Sequence, residues 1–160
     1  MTSVVLVALA TVLIMSQWWR LGCAGIVHRV IDGDDVEVNV DGKIIRVRIA
    51  NIDAPEWLAP YGRAARGALA QLIPVGTHVR VGWMRRDRYQ RRVAKISVAG
   101  RAVGCIMARR GMAHGRTYAA ARHAAFAAAH RLGLWNDPKP IHPAIWRRRA
   151  GTSRFDAARA

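Results

Sequence analysis

The sequence has little cysteine, and the motifs of several large enzyme classes are missing. Two cysteines, Cys23 and Cys105, are too few for a disulfide framework. The six histidines show no spacing to cysteines or acids that would indicate a zinc site. Neither the GxSxG motif of serine hydrolases nor the P-loop of nucleotide triphosphatases is present. These absences exclude a disulfide scaffold, and they remove the support for zinc-finger, serine-hydrolase and P-loop interpretations.

Acidic residues are also scarce, and the charge balance is strongly basic. The sequence has ten Asp and Glu residues and 26 Lys and Arg residues, which gives a formal net charge of +16. Such an excess predicts a polyanionic partner, because Lys and Arg displace the counterions condensed on phosphates. Nucleic acid is the first expectation and an anionic membrane surface the second. A GC-rich genome also raises arginine and alanine content, so charge alone does not identify an enzyme.

The few acids are concentrated in one part of the chain. Seven of the ten lie between positions 32 and 56: Asp32, Asp34, Asp35, Glu37, Asp41, Asp53 and Glu56. Hard cations such as calcium and magnesium bind carboxylate and carbonyl oxygens, so this cluster is a candidate cation site. A solvated acidic face is the alternative.

The amino terminus has the composition of a targeting segment. Residues 2–19 carry no charge, and 4–15 form an apolar run of signal-peptide length. As a helix, these eighteen residues would span about 27 Å, close to the ~30 Å hydrocarbon core of a bilayer. We therefore predict that residues 1–24 are a cleaved signal peptide or a retained membrane anchor. The protein would then be exported (secreted or periplasmic) or membrane-anchored.

Strand patterns precede helix patterns along the chain. Runs rich in β-branched residues predict strands at 26–31, 36–40, 43–52, 77–83 and 92–98, with a hairpin turn at Asp41-Gly42. Helices are predicted at 60–73, 103–110 and 119–131. This pattern fits one domain at 25–137. Residues 138–160, with three prolines and a basic run, are predicted to form an extended tail.

Alternation along the second strand singles out Asp34. Val36, Val38 and Val40 share one face, and continuing the strand backwards places Asp34 on that apolar side. A buried carboxylate needs a cation or an arginine to offset the cost of burial. By the same alternation, Asp35 and Glu37 belong to a solvated face.

Six short motifs occur in a fixed order. They are VIDGD at 30–34, RIANIDAPE at 48–56, YG at 61–62, DRYQR at 87–91, GMA at 111–113 and GLW at 133–135. Together they resemble the staphylococcal nuclease family over about residues 26–137. The resemblance implies an α+β fold that is mainly a β barrel, a five-stranded OB fold with about three helices. It also implies a calcium-dependent phosphodiesterase that acts on DNA and RNA and leaves 3′-phosphates. We expect the protein to be a monomer.

The resemblance assigns roles residue by residue. It places metal ligands at Asp34, Asp53 and the backbone carbonyl of Ala54, the general base at Glu56, and phosphate-binding arginines at Arg48 and Arg91. Arg88 and Tyr89 fall in the substrate-contacting segment, where Tyr89 could equally pack at the barrel mouth. Arg46 shares strand parity with Arg48, and only the shorter sequence distance to Asp53 favours Arg48. Ion pairing with the acidic cluster is the alternative role for Arg48 and Arg91.

These residue types suit phosphodiester hydrolysis. A divalent cation and two arginines can stabilise the charge that builds on the phosphate oxygens, and Glu56 can deprotonate the attacking water. Three positions depart from the family pattern. Gln90 replaces a usual glycine before Arg91, Asp35 replaces a common threonine, and the loop at 57–60 is shortened. A catalytically silent OB module that binds nucleic acid is therefore the alternative function.

Overall fold

A computed structural model describes residues 22–82, 85–87 and 91–157, with side chains described through residue 150. The described strands are β1 Cys23–Asp32, β2 Asp35–Val40, β3 Lys43–Ile49, β4 Ile52–Asp53, β5 His78–Val81, β6 Arg85–Arg86, β7 Arg92–Ala94, β8 Ile96–Val98, β9 Arg101–Ala102 and β10 His114–Gly115. The described residues also form the helices α1 Gly62–Leu72, α2 Val103–Arg109, α3 Tyr118–Ala129 and α4 Pro143–Ala157, with a 3₁₀ turn at Gly133–Asn136.

One eight-stranded sheet forms the centre of the fold. Its order is β6-β7-β3-β2-β1-β5-β8-β9, with β4 and β10 paired separately. Strands β1, β2 and β3 form an antiparallel meander, and β3 pairs with β7 in parallel. The predicted turn joins β2 to β3, where Asp41 and Gly42 both have positive φ, as a two-residue hairpin turn requires. The α+β class with a mainly β core is confirmed, although the described strand pairings leave the sheet open.

The core forms where the sheet meets α1 and α2. Valines and isoleucines of β1, β2 and β3 bury their side chains there, as their alternation predicts. Leu69 of α1 and Met107 of α2 are fully buried against them. Contact with this core holds the end of β1, β3 and β4 in place, and these are the segments that carry the candidate site.

Two predicted strands are each broken in the structure. The strand expected at 43–52 stops at Ile49 and resumes at Ile52–Asp53. The Ile49 amide donates to the Asp34 carbonyl at 2.8 Å, and the Ala50 amide donates to the Ala94 carbonyl at 2.9 Å. The strand expected at 92–98 divides at Lys95, whose carbonyl accepts from Gly82 at 2.8 Å. These bonds continue the ladders β2–β3, β3–β7 and β5–β8, and each break lies where the chain changes partners: β4 pairs with β10 rather than with β2 and β7, and β8 pairs with β5 rather than with β3.

The prediction of an extended carboxyl-terminal tail is wrong for residues 143–157, which form α4. Proline is favoured at the first position of a helix, where its missing N–H costs nothing, and Pro143 occupies that position. The His142 Nδ1 atom accepts a hydrogen bond from the Ala144 amide at 3.2 Å, which satisfies one of the unpaired donors at the helix start. Pro138 and Pro140 therefore precede a helix that begins at Pro143.

The predicted amino-terminal targeting segment lies largely outside the described residues, which begin at residue 22. The prediction of a signal peptide or anchor at 1–24 therefore stays a prediction. In the part of the chain that the structure covers, no helix has the length and apolar character needed to cross a membrane.

Candidate active site

Two buried carboxylates meet one guanidinium at the centre of the site. Asp34, in the turn between β1 and β2, and Asp53, in β4, are each 4% exposed. Arg48 of β3 lies between them. Its Nη1 is 3.1 Å from Asp34 Oδ1, its Nη2 is 2.8 Å from Asp34 Oδ2, and Nη2 also donates to Asp53 Oδ1. The prediction that Asp34 points inward and has a cationic partner is confirmed.

A glycine allows this close approach. A Cβ atom at Gly33 would lie 2.8 Å from the Cβ atoms of both Ala54 and Ala65, so a larger residue would push the turn away from β4 and α1. With glycine there, Asp34 Oδ2 accepts a hydrogen bond from the Ala54 amide at 3.0 Å. Asp34 is thus tied both to Arg48 and to the backbone beside Asp53.

The two carboxyl groups differ in their electrostatics. Burial raises the pKa of Asp34 to about 7, although Arg48 and the Ala54 amide act in the opposite direction. Burial alone would also raise the pKa of Asp53, but a hydrogen bond and charge from Arg147, together with the charge of Arg48, lower it. Arg48 and the Ala54 amide therefore offset only part of the cost of burying the Asp34 carboxylate.

Asp35 is buried, contrary to the prediction of a solvated position. It is 3% exposed, and its Oδ2 accepts from Arg46 Nη2 at 2.7 Å. Asp35 begins β2 opposite Arg48, and the long side chain of Arg46 covers it. Glu37 is more exposed and pairs with Arg29 at 2.9 Å. Of the two arginines that share strand parity, Arg48 contacts Asp53 and Arg46 contacts Asp35.

Glu56 lies in the loop after β4 and is paired with an arginine that sequence reasoning missed. Arg147 of α4 donates from Nη1 to Glu56 Oε1 at 2.6 Å and from Nη2 to Asp53 Oδ2 at 3.0 Å. Asp53 and Glu56 each lie more than 90 residues before Arg147 in the sequence. The basic run at 147–149 indicated a charged tail, but nothing in the sequence connected that run to Glu56.

Arg91 faces the same groove from the other side. Its Nε and its amide donate to the Asp87 carboxylate at 2.8 and 2.9 Å. Asp87 thus fixes the direction of the Arg91 side chain. Arg88, Tyr89 and Gln90 lie outside the described residues, so the roles predicted for Arg88 and Tyr89, and the effect of Gln90, stay predictions.

A groove of about 980 Å³ joins these side chains. Glu56 and Asp87 are acids that line it. The arginines along its walls are Arg46 and Arg48 from β3, Arg85 from β6, Arg91, Arg116, and Arg147 and Arg148 from α4. A groove with this charge suits a phosphate backbone, and Glu56 within it can act on a water molecule.

Comparison with known proteins agrees with this geometry. Residues 46–137 match the family model described as staphylococcal nuclease homologue. The chain belongs to the staphylococcal nuclease family. The matched region includes Arg48, Asp53, Glu56 and Arg91, and family membership supports a nuclease function for the chain.

Similar full-length relatives extend the match beyond that region. Protein ParB of Escherichia coli is 36% identical over 163 residues, which cover 92% of this chain and 91% of the relative. A micrococcal nuclease of Shigella flexneri is 37% identical over 158 residues, which cover 89% of this chain and 90% of the relative. An uncharacterized endonuclease of Escherichia coli O157:H7 is 36% identical over 140 residues, which cover 82% of this chain and 91% of the relative.

The donor atoms of this staphylococcal nuclease family site suit a hard cation. Asp34 and Asp53 supply carboxylate oxygens, and Ala54 follows Asp53 with a backbone carbonyl. In the described ranges, no three side chains of His, Cys, Asp or Glu form a ready metal-binding group. Arg48 and Arg147 instead occupy oxygens of the two aspartates. A cation at these aspartates must therefore compete with guanidinium groups.

Proposed function

We propose that this chain is a calcium-dependent nuclease that hydrolyses phosphodiester bonds of DNA, RNA or both with little sequence preference. The observation that carries the proposal is the arrangement of the acids at an arginine-lined groove: Asp34 and Asp53 share Arg48, and Arg147 joins Asp53 to Glu56. Membership in the staphylococcal nuclease family supports it, and by the family resemblance the products carry 3′-phosphates.

Asp34, Asp53 and the Ala54 carbonyl would hold the calcium ion. Calcium binds oxygen ligands with flexible geometry, and two carboxylates with a carbonyl leave room for water and substrate. When bound, the ion would supply electrostatic stabilisation of the charge on the scissile phosphate. Burial of both aspartates keeps water from weakening this interaction.

Arg48 and Arg91 are the proposed partners of the phosphate oxygens. A guanidinium can donate two parallel hydrogen bonds to a phosphate, which a lysine cannot do. Arg48 is positioned by Asp34 and Asp53, and Arg91 by Asp87. Because both side chains are held before substrate arrives, they can stabilise developing charge without first reorganising.

Glu56 is the proposed general base. Its side chain is 35% exposed, so water can reach it, and it lines the groove between the aspartates and the arginines. In the reaction it would accept a proton from the attacking water. The hydrogen bond from Arg147 occupies Glu56 Oε1 in this structure, so that contact must open before Oε1 can accept the proton.

A nucleic-acid-binding module without cleavage is the second candidate. The ion pairs of Arg147 with Asp53 and Glu56 favour it, since they occupy the groups that hydrolysis would use. The basic groove would bind a nucleic acid backbone in either case. Loss of cleavage on replacing Glu56, considered in the Discussion, separates the two candidates.

Metal dependence tests the proposed function. The purified chain should cut a fluorescently labelled single-stranded oligonucleotide in calcium, and cleavage should stop in excess chelator and return when calcium is restored, because two buried carboxylates require a cation to bind phosphate. The measurement is the rate of product formation on a denaturing gel. Magnesium and manganese arms define the preference for calcium, and a full rate in excess chelator would contradict the proposal.

Cleavage should also depend steeply on salt. Seven arginines line the groove, and binding to phosphate weakens as salt rises because each released counterion gains less entropy in a more concentrated salt solution. We expect kcat/KM to fall at least roughly tenfold between about 50 and 200 mM salt. Cuts should spread along a long DNA with a mild preference for unpaired or AT-rich regions. One discrete cut site that persists at the higher salt concentration would be inconsistent with backbone recognition.

A further inference from the structure

Helix α4 brings a guanidinium into the site from outside the region that the family model matches, which ends at residue 137. Arg147 bridges two carboxylates with different proposed tasks. It lies 3.0 Å from Asp53, a proposed metal ligand, and 2.6 Å from Glu56, the proposed base. One side chain therefore controls access to both groups.

The start of α4 is fixed beside Asp53. Pro143 is buried, and the His142 ring packs against the His114 ring with centroids 4.5 Å apart. His114 lies in β10, directly opposite Asp53 in β4. Arg147 follows His142 by little more than one helical turn, so these contacts hold its Cα close to the acids. Its side chain can still change partners without movement of the helix.

Arg147 and a cation compete for the same carboxylate. Asp53 Oδ2 accepts from Arg147, and Asp53 Oδ1 accepts from Arg48 and, at 3.4 Å, from Arg147. A divalent ion at Asp53 would displace Arg147 from these oxygens and repel its positive charge. Arg147 also lines the groove with Arg91 and Arg116, so a displaced guanidinium remains within the substrate-binding region.

We propose that Arg147 is a substrate-positioning residue that exchanges partners. It pairs with Asp53 and Glu56 in the metal-free protein, the cation releases it, and it then binds a substrate phosphate in the groove. The inference rests on the proposed function, because it requires a cation at Asp53 and a phosphate in the groove. Release of Arg147 also frees the Oε1 atom of Glu56 to accept a proton.

Calcium alone tests the first half of the exchange. Arg147→Gln removes the competing charge, so its calcium affinity, measured by isothermal titration calorimetry on the full chain, should rise roughly three- to tenfold. Arg149→Gln is the matched control. It removes the same charge from an exposed position on the same helix, two residues further and so on a different face. Its calcium affinity should stay within about twofold of wild type.

A nucleoside 3′,5′-bisphosphate tests the second half, since it carries phosphates but no phosphodiester bond to cleave. In saturating calcium, Arg147→Gln should bind it roughly three- to tenfold more weakly than wild type, because one phosphate contact is lost. Arg149→Gln should bind it as wild type does. Arg147→Lys keeps the charge, so its calcium affinity should be close to that of wild type. Its bisphosphate affinity should stay below that of wild type, because lysine lacks the planar fork of arginine.

Several results would overturn the inference. Calcium affinity that is unchanged or weaker in Arg147→Gln would exclude competition, and unchanged bisphosphate affinity would exclude the phosphate contact. If wild type cuts DNA in calcium while Arg147→Gln and Arg149→Gln have the same calcium and bisphosphate affinities, the proposed role of Arg147 is wrong and the proposed function stands. If wild type neither binds calcium nor cuts, the proposed function fails and this inference with it. Thermal denaturation of each variant verifies that it is folded.

Discussion

Replacing Glu56 with glutamine is expected to lower the cleavage rate at least about 100-fold, because general-base catalysis contributes that much or more. Glutamine keeps the size of the side chain and an oxygen that can still accept from Arg147, but it cannot take a proton from water. Asp34, Asp53 and Arg48 remain in place, so affinity for nucleic acid should change little. Single-turnover cleavage of a labelled oligonucleotide, with binding measured in parallel, separates the two effects.

Glu37→Gln is the matched control for this experiment. Glu37 is also an acid paired with an arginine, but its partner is Arg29, away from the groove. Its replacement should leave the cleavage rate near wild type. If wild type and Glu56→Gln bound nucleic acid equally and neither cut it in calcium, the binding module without cleavage would become the better interpretation.

Replacing Arg48 with alanine should both destabilise the protein and abolish most of its activity. The change leaves Asp34 and Asp53 buried without their shared partner, and breaking a buried ion pair in this way costs about 3–5 kcal/mol. Activity should fall at least about 100-fold, because a donor to the phosphate is lost as well. Chemical denaturation gives the free energy of unfolding, and the same preparation gives the rate.

Calcium distinguishes the structural role of Arg48 from its proposed catalytic role. If calcium binds Asp34 and Asp53, it should restore part of the lost stability without restoring the rate. Arg29→Ala is the control, since the Arg29 side chain is 64% exposed and its ion pair with Glu37 lies away from the groove, so its loss should change stability and rate little. A folded Arg48→Ala protein that cuts at the wild-type rate would leave Arg48 with ion pairing as its only role.

Much of the site could be predicted from local sequence. Alternation of valines in β2 indicated that Asp34 points inward, and the structure confirms its burial. The same alternation was wrong for Asp35, because parity describes a regular strand and Asp35 stands at its first residue, under Arg46. Strand breaks after Ile49 and at Lys95 were also missed, since each depends on a change of partner strand, and the partners come from distant segments.

Helix α4 and Arg147 show where sequence reasoning stops. Three prolines at 138, 140 and 143 suggested an extended tail, whereas Pro143 begins a helix. The contact of Arg147 with Glu56 joins residues that lie far apart in the chain. No periodicity or motif encodes such a contact, which depends on how α4 packs beside β10. The site's charge balance therefore became visible only in three dimensions.

Cleavage of covalently closed single-stranded DNA circles is the decisive test of nuclease activity, because a circle is opened only by hydrolysis of an internal phosphodiester bond. We expect the wild-type chain in calcium to convert circles to linear molecules and then to short fragments with 3′-phosphate ends. The same circles should stay intact in excess chelator and with Glu56→Gln. Circles that remain closed with folded wild-type protein in calcium, while the protein binds them, would show that the chain binds nucleic acid without cutting it.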